Sequence, residues 1–303
     1  MSTTTSAESI AAAPVLADLL PAPKQRSKVM AFIRQHPTTV VGGSVLLSMV
    51  FIAIFAPWLG TVDPTALSPA KRIRQPSAEY WFGTDMLGRD VYSRVMYGAR
   101  ISLLVGFSVA AIASTVGTII GLVSGFVRRF DTIIMRVMDG LMSIPPILLA
   151  IALMALTRAS VQNVIVAISI TGVPPVSRLI RSLVLSLREQ PYVEAAIASG
   201  TRTPLIIIRH ILPNTLAPLV VNATFLCATA MIVESSLSFI GAGTPPTIPT
   251  WGNIMAEGRA LWQVKPYIVF FPAVFLSITV LAVNMLGDGL RDALDPRIAK
   301  RLG

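Results

Sequence analysis

One cysteine, two histidines and 13% charged residues leave this 303-residue chain short of most groups that soluble enzymes work with. Cys227 alone forms no disulfide within the chain and assembles no thiolate metal site. The histidines, His36 and His210, belong to no HExxH pair, which excludes hydrolytic zinc chemistry of that kind. No glycine is followed by lysine, so a Walker-type phosphate loop is absent, and with it nucleotide hydrolysis by that machinery. Gly42-Gly43-Ser44 loosely gives the GxS of a serine nucleophile. Neither histidine falls in an apolar run where it would serve as base, and small residues easing helix packing explain the triplet. No catalytic residue, cofactor or metal site is expected.

Apolar residues are what the chain has in excess: 53% are hydrophobic and the mean hydropathy is +0.70. That is the composition of a membrane protein. The net charge of +10 comes from 20 Arg and 5 Lys distributed among the connections between apolar runs, a pattern of membrane topology and not of nucleic-acid binding. With about 20 apolar residues needed per helical crossing, the spans fall near 38–59, 101–126, 140–156, 163–180, 215–239 and 267–286. Six spans put both termini on one side. If that side is the cytoplasm, the inside segments carry 16 basic residues and the outside segments 9, which favours N-in, C-in.

The fold expected is all-α and polytopic. Residues 1–37 read as a disordered cytoplasmic tail, because the weakly apolar stretch from Ile10 precedes the basic cluster, the wrong order for a secretory signal. Residues 38–100 hold the first span and an extracytoplasmic loop, 101–290 the remaining core, and 291–303 a cytoplasmic tail. Pro145-Pro146 and Pro174-Pro175 are expected to interrupt the third and fourth spans, either as pathway-lining breaks or as packing kinks. Gly106, Gly117, Gly121 and Gly125 allow neighbouring helices to approach closely.

Between the fourth and fifth spans lies EAAIASGTRTPLIIIRHILPN, residues 194–214. Pro191 suits a first helical position and Glu194 the first turn, where its charge complements the helix dipole. Gly200 ends that helix in the left-handed region. Thr203 and Pro204 start another, with Leu205, Ile208 and Leu212 on one face. Ala195, Ala196, Ala198 and Ser199 anchor poorly in lipid and suit close docking against another protein. The stretch reads as helix, glycine elbow, helix on the cytoplasmic side, with Arg202 and Arg209 beside the apolar face.

Glu194-Ala195-Ala196, Gly200 and Leu212-Pro213 resemble the EAA loop of the membrane subunits of bacterial ABC importers. His210 stands where the general pattern has Ile, a form that goes with the peptide-importer branch. FGTDMLGRDVYSRVMYGARISL (82–103), ESSLSFIGAG (234–243), PTWGNIM (249–255) and GDGLRDALDPR (287–297) are similar in the same order to the dipeptide and oligopeptide permease C family. The resemblance covers most of residues 28–298. It implies a type I ABC importer fold in the bacterial inner membrane, with a coupling loop at 189–213. Glu194, Ala195, Ala196, Gly200 and Arg202 would then meet a groove of the ATP-binding subunit. It also implies a homologous permease as heterodimer partner, two ATP-binding subunits that do the hydrolysis, and an extracytoplasmic peptide-binding protein.

Glu234, near the outer end of the fifth span, reads either as a snorkelling interfacial carboxylate or as a pathway group. Asp85, Arg89 and Asp90 read as a binding-protein contact or a self-contained salt-bridged turn; they offer too few ligands for calcium. Asp288, Arg291 and Asp292 read as a solvated helix end. Trp58, Tyr80, Trp81, Trp251, Trp262 and Tyr267 read as interfacial anchors. The cargo expected is di- or oligopeptides, with nickel chelates, glutathione, opines or oligosaccharides as alternatives. A self-sufficient secondary transporter would need coupling charges inside the spans, and these are nearly charge-free.

Overall fold

A computed structural model describes residues 37–294; of the expected tails, 1–37 and 291–303, residues 1–36 and 295–303 lie outside the described residues, and 291–294 are the last turn of a helix. The described chain is helical: α1 (Pro37–Phe55), α2 (Val91–Phe126), α3 (Arg128–Met142), α4 (Pro146–Ala155), α5 (Val161–Arg188), α6 (Pro191–Ala198), α7 (Thr203–Ile206), α8 (Leu212–Phe239), α9 (Trp251–Gly258) and α10 (Tyr267–Leu294). A π turn, Ile207–Ile211, joins α7 to α8. The only pairing of extended backbone among the described residues is an isolated bridge, Thr84 with Asp90.

Five helical runs are long and apolar enough to cross a bilayer: Pro37–Trp58, Val91–Phe126, Val161–Arg188, Thr203–Phe239 and Tyr267–Leu294. The sixth crossing follows from packing. Cβ atoms at Gly117, Gly121 and Gly125 of α2 would stand 2.6–2.7 Å from side-chain atoms of Val176, Ile180 and Val184 of α5, so the two helices touch along this stripe and run parallel. The chain between Phe126 and Val161 must therefore return the length of the bundle. α3 and α4 do this together, bent by 87°.

The third span is broken at Pro145-Pro146, as the proline pair predicts. Arg128, Arg129, Asp131, Arg136 and Asp139 make part of α3 polar, and it lies across α5 through Asp131 to Arg181 (2.5 and 2.6 Å) and Asp139 to Arg178 (2.5 Å). Pro145 closes the bend and Pro146 opens α4. The second proline pair behaves differently from expectation. α5 runs unbroken through Pro174 and Pro175, on the segment where it is packed against α2. α2 also starts ten residues before the expected span, because Asp90 caps it by accepting the Ser93 N–H at 2.8 Å.

α8 and α1 run against α2, and α10 runs with it. At one end of the bundle, the loop end, residues 56–90 and 240–266 cover a core of Leu46, Met49, Val95, Met231, Trp251 and Ile254. At the other, the elbow end, Leu122, Ile180, Val184, Val193, Ile206 and Ile211 pack together. Gly42 of α1 is pressed against Ala282 and Leu286 of α10, while the Ser44 hydroxyl donates to Val41 O in its own helix at 2.9 Å. The triplet is packing.

Candidate functional site

At the elbow end, α6 begins at Pro191 and ends in a Schellman turn. Thr201 N donates to Ala196 O (3.1 Å), Gly200 N to Ile197 O (2.9 Å), and Gly200 takes φ +76°. A Cβ at Gly200 would meet nothing within 4 Å, so the position demands glycine for backbone reasons alone. Val193 is fully buried and fastens α6 to the bundle. Glu194, Ala195 and Ala198 face outward, Ala196 is half-buried, and Tyr192 and Ile197 are exposed beside them. The result is a short helix tied down along one line and open along the rest.

The second half of the elbow departs from expectation in two ways. Arg202, exposed, occupies the N-cap position and Thr203 the first helical one, with no side-chain cap. The inward face is Ile206 and Ile211; Leu205 and Ile208 are 50% and 62% exposed. Their shift comes from the π turn, where Leu212 N reaches back five residues to Ile207 O. Pro213 has no N–H for Arg209 O, and the widened turn accommodates that loss. The His210 ring lies 6.3 Å from the Tyr192 ring, and Asn214 Nδ2 donates to His210 O at 2.7 Å, so His210 braces α6 against the start of α8.

At the loop end, four charges meet. Asp85 Oδ2 accepts from Arg89 Nε and Arg94 Nη1, both at 2.7 Å, and its Oδ1 accepts the Leu87 and Arg89 backbone N–H groups at 2.8 and 2.9 Å. Glu257 of α9 pairs with both arginines, its Oε1 lying 3.1 Å from Arg94 Nη2. Asp85 and Arg94 side chains are each 1% exposed. The charges of Asp85 and Arg89 are therefore spent inside the molecule, and Asp90 serves as a helix cap. Arg94 and Glu257 were not legible as partners, since 163 residues separate them. Nearby, Lys71 Nζ donates to Tyr80 Oη (2.6 Å) and Glu79 Oε1 (3.1 Å), which raises the lysine above its ordinary pKa.

Glu234 does not snorkel. It is fully buried in α8, with Oε1 accepting from Ser238 Oγ at 2.9 Å, and Ser238 Oγ lies 3.2 Å from Thr244 Oγ1. Asn253 Nδ2 of α9 lies 2.9–3.0 Å from Thr244 Oγ1, Pro245 O and Ile248 O, and thereby shapes the 244–250 turn. Trp251 is likewise no interfacial anchor: it is wholly buried and its Nε1–H donates to Val95 O at 3.1 Å, whereas Trp58, Trp81 and Trp262 are exposed. Among the described residues no group of three or more His, Cys, Asp or Glu is placed to hold a metal ion.

Residues 113–300, which include the whole elbow, match the family model described as binding-protein-dependent transport system inner membrane component. The chain belongs to this permease family. Residues 26–76 match the N-terminal transmembrane domain of oligopeptide transport permease C, which places the permease in that branch. It is 52% identical over 277 residues, 91% of this chain and 95% of the relative, to a Sinorhizobium fredii protein named probable peptide ABC transporter permease protein y4tQ. It is 43% identical over 267 residues, 88% of each chain, to the dipeptide transport system permease protein DppC of Alkalihalophilus pseudofirmus. Over 269 residues, again 88% of each, it is 42% identical to the glutathione transport system permease protein GsiD of Escherichia coli. With its apolar spans, the permease is a multi-pass inner-membrane protein of bacteria.

Proposed function

We propose that this permease is one half of the membrane pathway of an ATP-driven importer of di- and oligopeptides, oriented N-in, C-in. A homologous permease supplies the other half, an extracytoplasmic binding protein delivers cargo, and two separate ATP-binding subunits hydrolyse ATP. The observation that carries the reading is the α6 elbow. Val193 anchors it, Glu194 and Ala195 are open to a partner, and the φ +76° turn at Gly200 holds it at an angle to α7. A small-residue helix held on one side passes a push from a docked subunit into α8 as a rigid body. Ala196 and Arg202 border that contact, and residues 189–213 act as the coupling segment. The peptide names of the y4tQ and DppC relatives support the cargo class.

At the loop end, Asp85, Arg89 and Asp90 act by presenting exposed Met86 and Leu87 to the binding protein, and Glu234 positions the turn over the pathway's outer end. The likeness to GsiD favours glutathione, itself a tripeptide, as the second reading. The test is peptide uptake together with ATP turnover in the reconstituted complex. Gly200→Ala forces an alanine into the left-handed region at about 1–2 kcal/mol, and Glu194→Lys reverses the charge at the proposed contact. Each variant is expected to insert normally and to lose uptake while ATP turnover persists. Normal uptake in both would sink the docking assignment.

A further inference from the structure

α8 is the span least enclosed by its own chain. Of its most apolar window 22% is buried, against 56% for α5. Its open face borders a cavity of about 440 Å³ near the elbow end, shared with Leu179 of α5 and with Arg291 and Leu294 of α10. That volume lies within the roughly 300–1,000 Å³ of small-molecule sites. The wall is apolar, chiefly Leu179, Val221 and Phe225, apart from two groups, the Asn222 carboxamide and the Arg291 guanidinium. Neither is held by a side-chain hydrogen bond or ion pair among the described residues. Gly287 of α10 packs against Thr224 of antiparallel α8, so Arg291, one turn further on, lies about level with Asn222. Polar side chains within a span face protein or a water-filled cavity, because acyl chains offer no hydrogen bonds.

We propose that this cavity is a cargo site at the inner part of the pathway, binding the C-terminal end of a peptide. Arg291 takes the terminal carboxylate through its planar fork of donors, and Asn222, with both a donor and an acceptor, pairs with the last peptide amide. The apolar walls receive side chains without choosing among them, which suits a transporter whose selection is made elsewhere. Arg291 is exposed in the last turn of α10, so a carboxylate reaches it without crossing hydrocarbon. The assignment rests on the peptide-import reading above and adds a recognised chemical group to it.

The test uses the full complex in phosphatidylcholine vesicles, with labelled Ala-Phe and its C-terminal amide as probes at saturating binding protein. Arg291→Gln is expected to lower the acid-to-amide uptake ratio about tenfold, the size of one lost charge-assisted contact. Arg291→Lys restores most of the ratio, and Asn222→Leu slows both probes. In a Cys227→Ser background, maleimide labelling of Asn222→Cys is expected to slow during import of the acid. An unchanged ratio in Arg291→Gln, with wild-type import intact, overturns the cargo site and leaves the peptide importer standing. Wild-type complex that imports neither probe overturns both. A defect seen only when phosphatidylglycerol is added marks an anionic lipid as the occupant and overturns the cargo assignment.

Discussion

Asp85, Arg89, Arg94 and Glu257 bring two negative and two positive side chains together where little water reaches them. Such a cluster is worth little compared with an apolar core of the same volume, but removing one member leaves its partners charged and unpaired. Asp85→Ala takes the fully buried carboxylate from both guanidiniums and the acceptor from the Leu87 and Arg89 N–H groups, and is expected to cost about 3–5 kcal/mol. Asp90→Ala removes only the helix cap, about 1 kcal/mol. The order of thermal unfolding midpoints in detergent checks this; equal midpoints would mean that water or a neighbouring group already pairs the arginines. Of this network the Asp85–Arg89 pair is legible in sequence as a salt-bridged turn. Arg94 and Glu257 are not, since Glu257 reaches Arg89 from 168 residues away. Glu234 is fully buried with its Oε1 accepting from Ser238 one turn along α8, and the cover comes from the 244–253 segment, whose Gly252 packs against Ser235 and Ser238.

Elements followed the sequence where a local signal was strong and departed from it where packing intervened. The glycine elbow at residue 200 was legible because a helix that must stop in the left-handed region needs that residue. The π turn was not, since Pro213 acts on it from two residues downstream and the outcome depends on how α8 enters the bundle. Pro145-Pro146 ends a helix while Pro174-Pro175 does not, and the difference is the neighbour: α5 is clamped along the glycine stripe of α2. Close approach there makes a sharp prediction. Gly121→Val drives methyl groups into Ile180 and Ser177 O, each 2.7 Å from where a Cβ would sit, and is expected to destabilise by about 1–3 kcal/mol. Gly140→Ala, with open space around it in α3, is expected to stabilise by up to about 1 kcal/mol. Thermal stability of the two purified variants decides; a neutral Gly121→Val would show that the helices part without cost.

For the whole molecule, parallel α2 and α5 with the return through α3 and α4 put the start of α1 and the end of α10 at the same end, beside the elbow. If that end is cytoplasmic, then in a Cys227→Ser background a membrane-impermeant maleimide should label exposed Ala78→Cys in intact cells and exposed Glu189→Cys only after permeabilisation. The reverse pattern would invert the topology. The sequence by itself determined that the chain lives in a bilayer, roughly where it crosses, that it has a glycine elbow after a short helix of small residues, and which family it resembles. These rest on hydropathy, on proline and glycine, and on short motifs, all of which act through neighbours along the chain. Only the tertiary structure decided that α5 runs unbroken through Pro174-Pro175, that Asp85, Arg89, Glu234 and Trp251 are interior groups, and that Asn222 and Arg291 share one cavity. Burial and pairing are made by segments distant in the chain, and no local pattern carries the identity of a neighbour that arrives from another helix.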